Sequence, residues 1–170
     1  MLLAKLTATD IESFQAARAL VLRPLDEGPL TCFQDLSPTD QDTTEVDTAN
    51  TYERVIEVRG HWPYPAAFAV FAEWQVADPE KFATFEESRR DLFEARREHL
   101  PTFASDWLLR HTEIQGRYLV IGLYGDKEGA ARLCRLHPEV LRFAEAHPPD
   151  LYSATAISGL HVFRVERCTI

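Results

Sequence analysis

From Ala67 to Val76, apolar and polar positions alternate, placing Phe68, Val70, Ala72, Trp74 and Val76 on one side of a strand and Ala69, Phe71, Glu73 and Gln75 on the other. Asp78-Pro79-Glu80 then supplies an N-cap acceptor, a proline at the first helical position and an acid near the positive end of the helix dipole. The helix so started runs to about His99, with Phe82, Phe85, Leu92 and Leu100 marking one face. Phe103 to Thr112 and Arg117 to Tyr124 read as strands, and Glu113-Ile114-Gln115-Gly116 between them is a hairpin signal. Asp126 caps a second helix carrying Ala130, Leu133, Leu136, Val140, Leu141 and Ala144, which Pro138 divides into two offset segments. Ala154 to Val165 supplies a last strand. The order βαββαβ predicts a ferredoxin-like half-barrel of the α+β class.

The preceding stretch reads as a shorter version of the same plan. Leu2 to Leu6 predicts a strand. Thr9 or Asp10 caps a helix bearing Ile11, Phe14, Ala17 and Leu20-Val21, which Arg23-Pro24 ends. Leu30 to Leu36 predicts a strand, Ser37 to Thr44 a polar loop, and Thr44 to Thr51 a further short strand. Tyr52 to Arg59 alternates as an extended segment. The prolines of His61-Trp62-Pro63-Tyr64-Pro65 make a joint. Two units follow: residues 1–64, a partial ferredoxin-like half, and residues 65–170, a complete ferredoxin-like domain. The incomplete first sheet is expected to leave an exposed edge open to association.

Composition narrows the classes. The 170 residues are 45% hydrophobic, with ten Phe and three Trp, enough for a packed core. The formal charge of −9 argues against nucleic acid and anionic membranes, which need a cationic footprint. The N-terminal residues turn polar too soon for a signal peptide, and no apolar run reaches membrane-spanning length. A cytoplasmic protein is expected. Cys32, Cys134 and Cys168 are far apart and form no C-x-x-C pair, so each reads as an ordinary thiol. The six His are too dispersed for a metal site to be read from spacing, and no P-loop, G-x-S-x-G or H-E-x-x-H motif is present.

Residues 67–166 resemble a domain of the antibiotic biosynthesis monooxygenase (ABM) superfamily, whose sheets pair to close a dimeric α+β barrel. The resemblance rests on Asp78-Pro79-Glu80-Lys81 followed by Phe82, and on the strand from Arg117 to Tyr124. It rests also on a helix opening Gly125-Asp126-Lys127-Glu128-Gly129-Ala130, with His137-Pro138-Glu139 inside it. The two-part layout, with Tyr52 to Val58 before a proline joint and Phe68-Ala69-Val70, is similar to that of the haem-degrading members. The N-terminal half can then supply the second half-barrel within one chain, giving a monomer with an internal pseudo-dimer, or a homodimer.

What the resemblance implies for chemistry is less direct. Haem-degrading members use an Asn on the first strand and a Trp and a His on the second helix. Ungapped, these positions fall on Ala72, Leu133 and Phe143, which neither ligate iron nor donate hydrogen bonds. A register shifted by one helical turn instead brings His137 and His147 to the last two, with His147 as a candidate haem ligand. The bland reading of both histidines is helix-end capping. Glu73, beside the position that points into the family pocket, is a candidate general base if burial raises its pKa, and otherwise a solvent-facing acid. Tyr124, His111 and His161 are candidate proton donors. Trp74, Trp107 and Tyr124 can line a flat aromatic site. Arg89 and Arg96, near the apolar face of the first helix, can hold a ligand carboxylate or simply pack their stems on the core.

The expectation is a monooxygenase acting on a small, largely apolar or aromatic molecule in a barrel pocket, with Glu73 and Tyr124 as catalytic groups. Its ligand contacts are Ala72, Trp74, Trp107, Leu133, His137, Phe143 and His147. Haem is the one cofactor the resemblance brings into question, and no metal ligand set is expected. The alternative is a non-catalytic haem or small-ligand binding protein, and a barrel filled by its own side chains would serve neither.

Overall fold

The computed structural model describes residues 1–8, 18–36, 50–133 and 135–170. Its strands are β1 (Leu2–Ala8), β2 (Ala19–Pro24), β3 (Leu30–Asp35), β4 (Thr51–Arg59), β5 (Phe68–Val76), β6 (Phe103–His111), β7 (Arg117–Tyr124), β8 (Ala154–Ala156) and β9 (His161–Cys168). The helices are α1 (Phe82–His99), α2 (Lys127–Ala131) and α3 (Pro138–Ala146). The protein is α+β, and its second half has the ferredoxin-like order read from the sequence.

Eight of these strands close into an antiparallel barrel in the circular order β5, β7, β6, β4, β1, β3, β2, β9, while β8 extends the pairing of β5 at its C-terminal end. The second half contributes β9-β5-β7-β6 and the first half β4-β1-β3-β2, so both run in the ferredoxin-like order 4-1-3-2. The first half, expected as a partial copy, thus supplies four strands; its connections 9–17 and 37–49 lie outside the described residues, as do the helix and short strand expected there. The exposed edge expected of that half is absent from the described strands, because β4 pairs with β6 and β2 with β9.

Two layers of core follow from strand alternation. Ala69, Phe71, Trp107, Leu119, Ile121 and Phe163 point into the barrel, which Leu3, Leu20, Phe33 and Tyr52 fill from the other half. Val70, Val76, Leu108 and Tyr118 point outward against Phe85, Leu92 and Phe93 of α1 and Val140 of α3. α1 buries Phe85, Ser88, Arg89, Leu92, Phe93 and Arg96, a stripe at helical spacing.

Two local expectations change, and the expected hairpin turn holds. Leu20 and Val21, expected at the end of a helix, lie in β2; Ala19 to Leu22 is an apolar run buried on both faces, which periodicity alone reads either way. The expected last strand divides at residues 157–160, where Ile157 N–H donates to Glu73 O (2.8 Å) and Glu73 N–H donates to Ser158 Oγ (3.2 Å). At the β6–β7 hairpin Gly116 has φ +73°, and a Cβ there would stand 2.3 Å from Val76 O. Among the described residues Cys32 and Cys168 are free thiols, and no helix is long and apolar enough to cross a membrane.

Candidate functional site

The alternation of β5 sends neighbouring residues into different environments. Ala72 faces outward between Val70 and Trp74, where its short side chain leaves room beneath the helices. Together with Ala144 on α3 it backs a cavity of about 240 Å³ that lies outside the barrel rather than inside it as expected, between β5 and β7 on one side and α1 and α3 on the other, because side chains of both halves fill the interior. Trp74, Val120, Leu92, Phe93 and Leu133 give it apolar walls, and Pro149 and Leu160 stand at its rim. α2 and α3 are separate because Pro138 starts the second of them, and Leu133 reaches the cavity from the connection.

Three basic side chains also line it: Arg89, Arg96 and His147. The arginines are only 7% and 4% exposed, so their charges are held largely out of water. Arg89 stacks over the Phe85 ring (5.2 Å) and donates to His147 O (3.4 Å) and Ser88 Oγ (3.3 Å). Arg96 Nη1 donates to Asp106 Oδ2 at 2.8 Å, a pair with almost no solvent access. Burial pushes the Asp106 carboxyl above the usual aspartate range, although Arg96 pulls the other way. Glycine at position 122 makes this possible, since a Cβ there would lie 2.6 Å from Asp106 Oδ1.

His147 ends α3. Its Nδ1 lies 3.0 Å from Phe143 O and its ring stacks on Phe143 with 4.2 Å between centroids. A carbonyl can only accept, so Nδ1 carries the proton and Nε2 keeps the lone pair.

Of the residues singled out from the sequence, Ala72, Trp74, Leu133 and His147 line one cavity. Phe143 packs beside it through His147. His137 is placed elsewhere: it caps α3, accepting from Glu139 N–H (3.3 Å), and stacks on His99. Trp107 lies inside the barrel under the Arg54 guanidinium, and Tyr124 is buried edge-on to Phe103 at the outer core. Glu73 is buried inside the barrel, not solvent-facing. It binds Lys5 Nζ through one oxygen and Arg117 Nη2 through the other, at 2.8 Å. Burial pushes its carboxyl up, but the hydrogen bonds and charges of Lys5 and Arg117 more than offset this and hold it below the usual glutamate range. That is the opposite direction from the one a general base near neutrality needs. Arg89 and Arg96 carried a signal in the sequence, two cationic side chains on the buried stripe of a helix; Phe93, Val120 and Ala144 carried none beyond ordinary apolar patterning.

The residues present do not fit haem. Ligand pockets run to about 300–1,000 Å³, and a cavity of about 240 Å³, below that range, has room for a small planar molecule but not for a macrocycle. Two of the three positions where haem-degrading proteins place polar groups, Ala72 and Leu133, are part of its apolar wall, and His137 is not among its lining. Among the described residues no group of three or more His, Cys, Asp or Glu side chains is arranged to hold a metal ion.

No protein-family model matches the sequence, and no curated protein matches it significantly. Similar solved structures span nearly the whole chain. A ferredoxin-fold protein related to antibiotic biosynthesis monooxygenases from Listeria monocytogenes superposes with a TM-score of 0.63 at 13% identity, covering 98% of this chain and 94% of that one. A haem-degrading enzyme from the same organism gives 0.58 at 10% identity, covering 96% and 99%. An anthrone oxidase-like protein gives 0.53 at 11% identity, covering 98% and 90%. At such identities the likeness is one of fold, and this chain has the ferredoxin-like α+β fold seen in proteins related to the antibiotic biosynthesis monooxygenases.

Proposed function

We propose that this chain is a monooxygenase of the ABM type acting on a small, flat, apolar or aromatic molecule, bound between β5 and the α1–α3 layer. The observation that carries this reading is the apolar cavity backed by Ala72 and Ala144, with the indole of Trp74 as a flat wall. One structure of like fold is described as anthrone oxidase-like, which motivates the choice of reaction. A substrate with an acidic methylene loses a proton, the carbanion passes electrons to dioxygen, and the CH₂ becomes C=O, one oxygen atom retained and the other leaving as water. In such chemistry the protein's part is to hold the substrate dry and in one orientation and to move protons.

The test is oxygen uptake by the purified protein with anthrone. The expected result is anthraquinone formed in equal amount to the oxygen consumed, above the rate of the protein-free solution, and lost when Ala72→Leu fills the cavity. Uptake no faster than the protein-free control would overturn the reading. The second reading, a binding protein without turnover, is favoured by the apolar side chains of Ala72, Leu133 and Phe143, which can position a ligand but donate no proton. Saturable anthrone binding without oxygen uptake would select it.

A further inference from the structure

The ionisable side chains among the described lining of the cavity are Arg89, Arg96 and His147, all basic, and no carboxylate belongs to that lining. An apolar molecule alone makes no use of charged groups held out of water. Arg96 is already set against Asp106, yet it still faces the cavity beside Arg89. His147 adds a different capacity. With Nδ1 committed to Phe143 O, Nε2 is the ring atom that can accept a proton.

We propose that the cavity takes an aromatic acid: a small planar molecule with one carboxylate, or with one hydroxyl or enol that ionises on binding, its anionic oxygen set against Arg89 and Arg96. Where the group arrives protonated, its O–H bond breaks, the electron pair stays on oxygen, and the proton passes to His147 Nε2, while Nδ1–H stays on Phe143 O. Arg89 and Arg96 are then the anchors and His147 the proton acceptor. The proposal rests on the location of the ligand site given under the proposed function, and it names the chemical class that reading left open.

The test is calorimetric titration of the purified chain with two matched pairs, 1-naphthoate against its methyl ester and 1-naphthol against 1-methoxynaphthalene. Each acid is expected to bind at least about ten-fold more tightly than its neutral partner, a difference of about 1.4 kcal/mol. Arg89→Met, which keeps the stem, should bring both ratios towards one, and saturable binding of the ester by the same variant shows that the cavity persists. Arg89→Lys should recover part of the preference. His147→Gln should lower the preference for naphthol and leave that for naphthoate, which has no proton to give. Equal affinities within each pair, or ratios unchanged by Arg89→Met, would overturn the proposal. Oxygen plays no part in these titrations, so preference for the acids without turnover of anthrone would sink the monooxygenase reading alone. Turnover of anthrone with no such preference would sink this one alone.

Discussion

On the inner face of β5, Glu73 is clasped by Lys5 and Arg117; on the outer face, at the next residue, Ala72 opens onto a cavity walled by arginines. The inner charges are spent on one another. Lys5 lies on β1, which stands opposite β5 in the circular strand order, so the bond spans the barrel from one half of the chain to the other. The outer charges face space that a ligand can enter. Burial and charge alone would have pointed to Glu73, since a buried carboxylate with a shifted pKa is a common sign of an active site. What separates the two faces is room: the inner cluster is packed among side chains, whereas the outer one borders a void. The two carboxylates also respond in opposite directions, Glu73 lowered and Asp106 raised.

The sharpest way to break this contrast is to remove one partner of each pair. Arg96→Met leaves Asp106 buried without its cation, and is expected to cost about 3–5 kcal/mol in urea unfolding, as for other broken buried pairs. The loss should shrink as pH falls and Asp106 takes up a proton. A cost below about 1 kcal/mol would mean that the pair adds little beyond what solvent supplies.

Glu73→Leu should cost less, about 2–3 kcal/mol, because Lys5 and Arg117 are roughly a quarter exposed and keep some hydration. Naphthoate affinity should stay within about two-fold of the unsubstituted chain, a shift of under 0.5 kcal/mol. A large loss of affinity would tie the inner cluster to the ligand site and erase the distinction between the faces.

The pH dependence separates the two carboxylates without mutating the cavity. Glu73, whose folded pKa is lowered, contributes stability that is present above its unfolded value of about 4.3 and is lost as pH falls through the folded value. Asp106, whose folded pKa is raised, has the reverse sign: its contribution is full below an unfolded value of about 3.9 and is lost as pH rises through the folded value. Melting temperatures of Glu73→Gln should therefore fall less steeply than those of the unsubstituted chain below about pH 4.3. Parallel curves would deny Glu73 its lowered pKa. The smallest effect belongs to Ala72→Leu, which extends an apolar side chain into the cavity and should change stability by no more than about 1 kcal/mol while abolishing naphthoate binding. Binding retained in that variant would place the ligand elsewhere.

Much of the fold was legible because its signals are local. The split of β5 into two faces, the Asp78-Pro79 helix start and the Pro138 division all follow from neighbouring residues, and each recurs in the structure. The β2 segment was misread because Ala19 to Leu22 is apolar throughout, and only its pairing with β3 and β9 distinguishes strand from helix. The site was legible in part. Ala72, Trp74, Leu133 and His147 converge, but whether Glu73 faces a ligand or a pair of cations depends on Lys5, which is distant in sequence. Pairings across a closed barrel leave no periodic trace. Gly122 shows the same limit, since its reason is the carboxylate of Asp106 on the neighbouring strand.

Closure of the barrel also fixes an order of events during synthesis. β2 is held on one side by β9, and Ala19 is bonded twice to Thr169, whose backbone N–H donates to Ala19 O at 2.9 Å and whose side-chain Oγ1 accepts from Ala19 N–H at 2.8 Å. A strand made early therefore waits for a partner 150 positions later in the sequence, and pairings of such long separation are slow to form. Until β9 leaves the ribosome, β2 and β5 each present an unpaired, apolar edge, and the nascent protein stays prone to aggregation until that strand pairs.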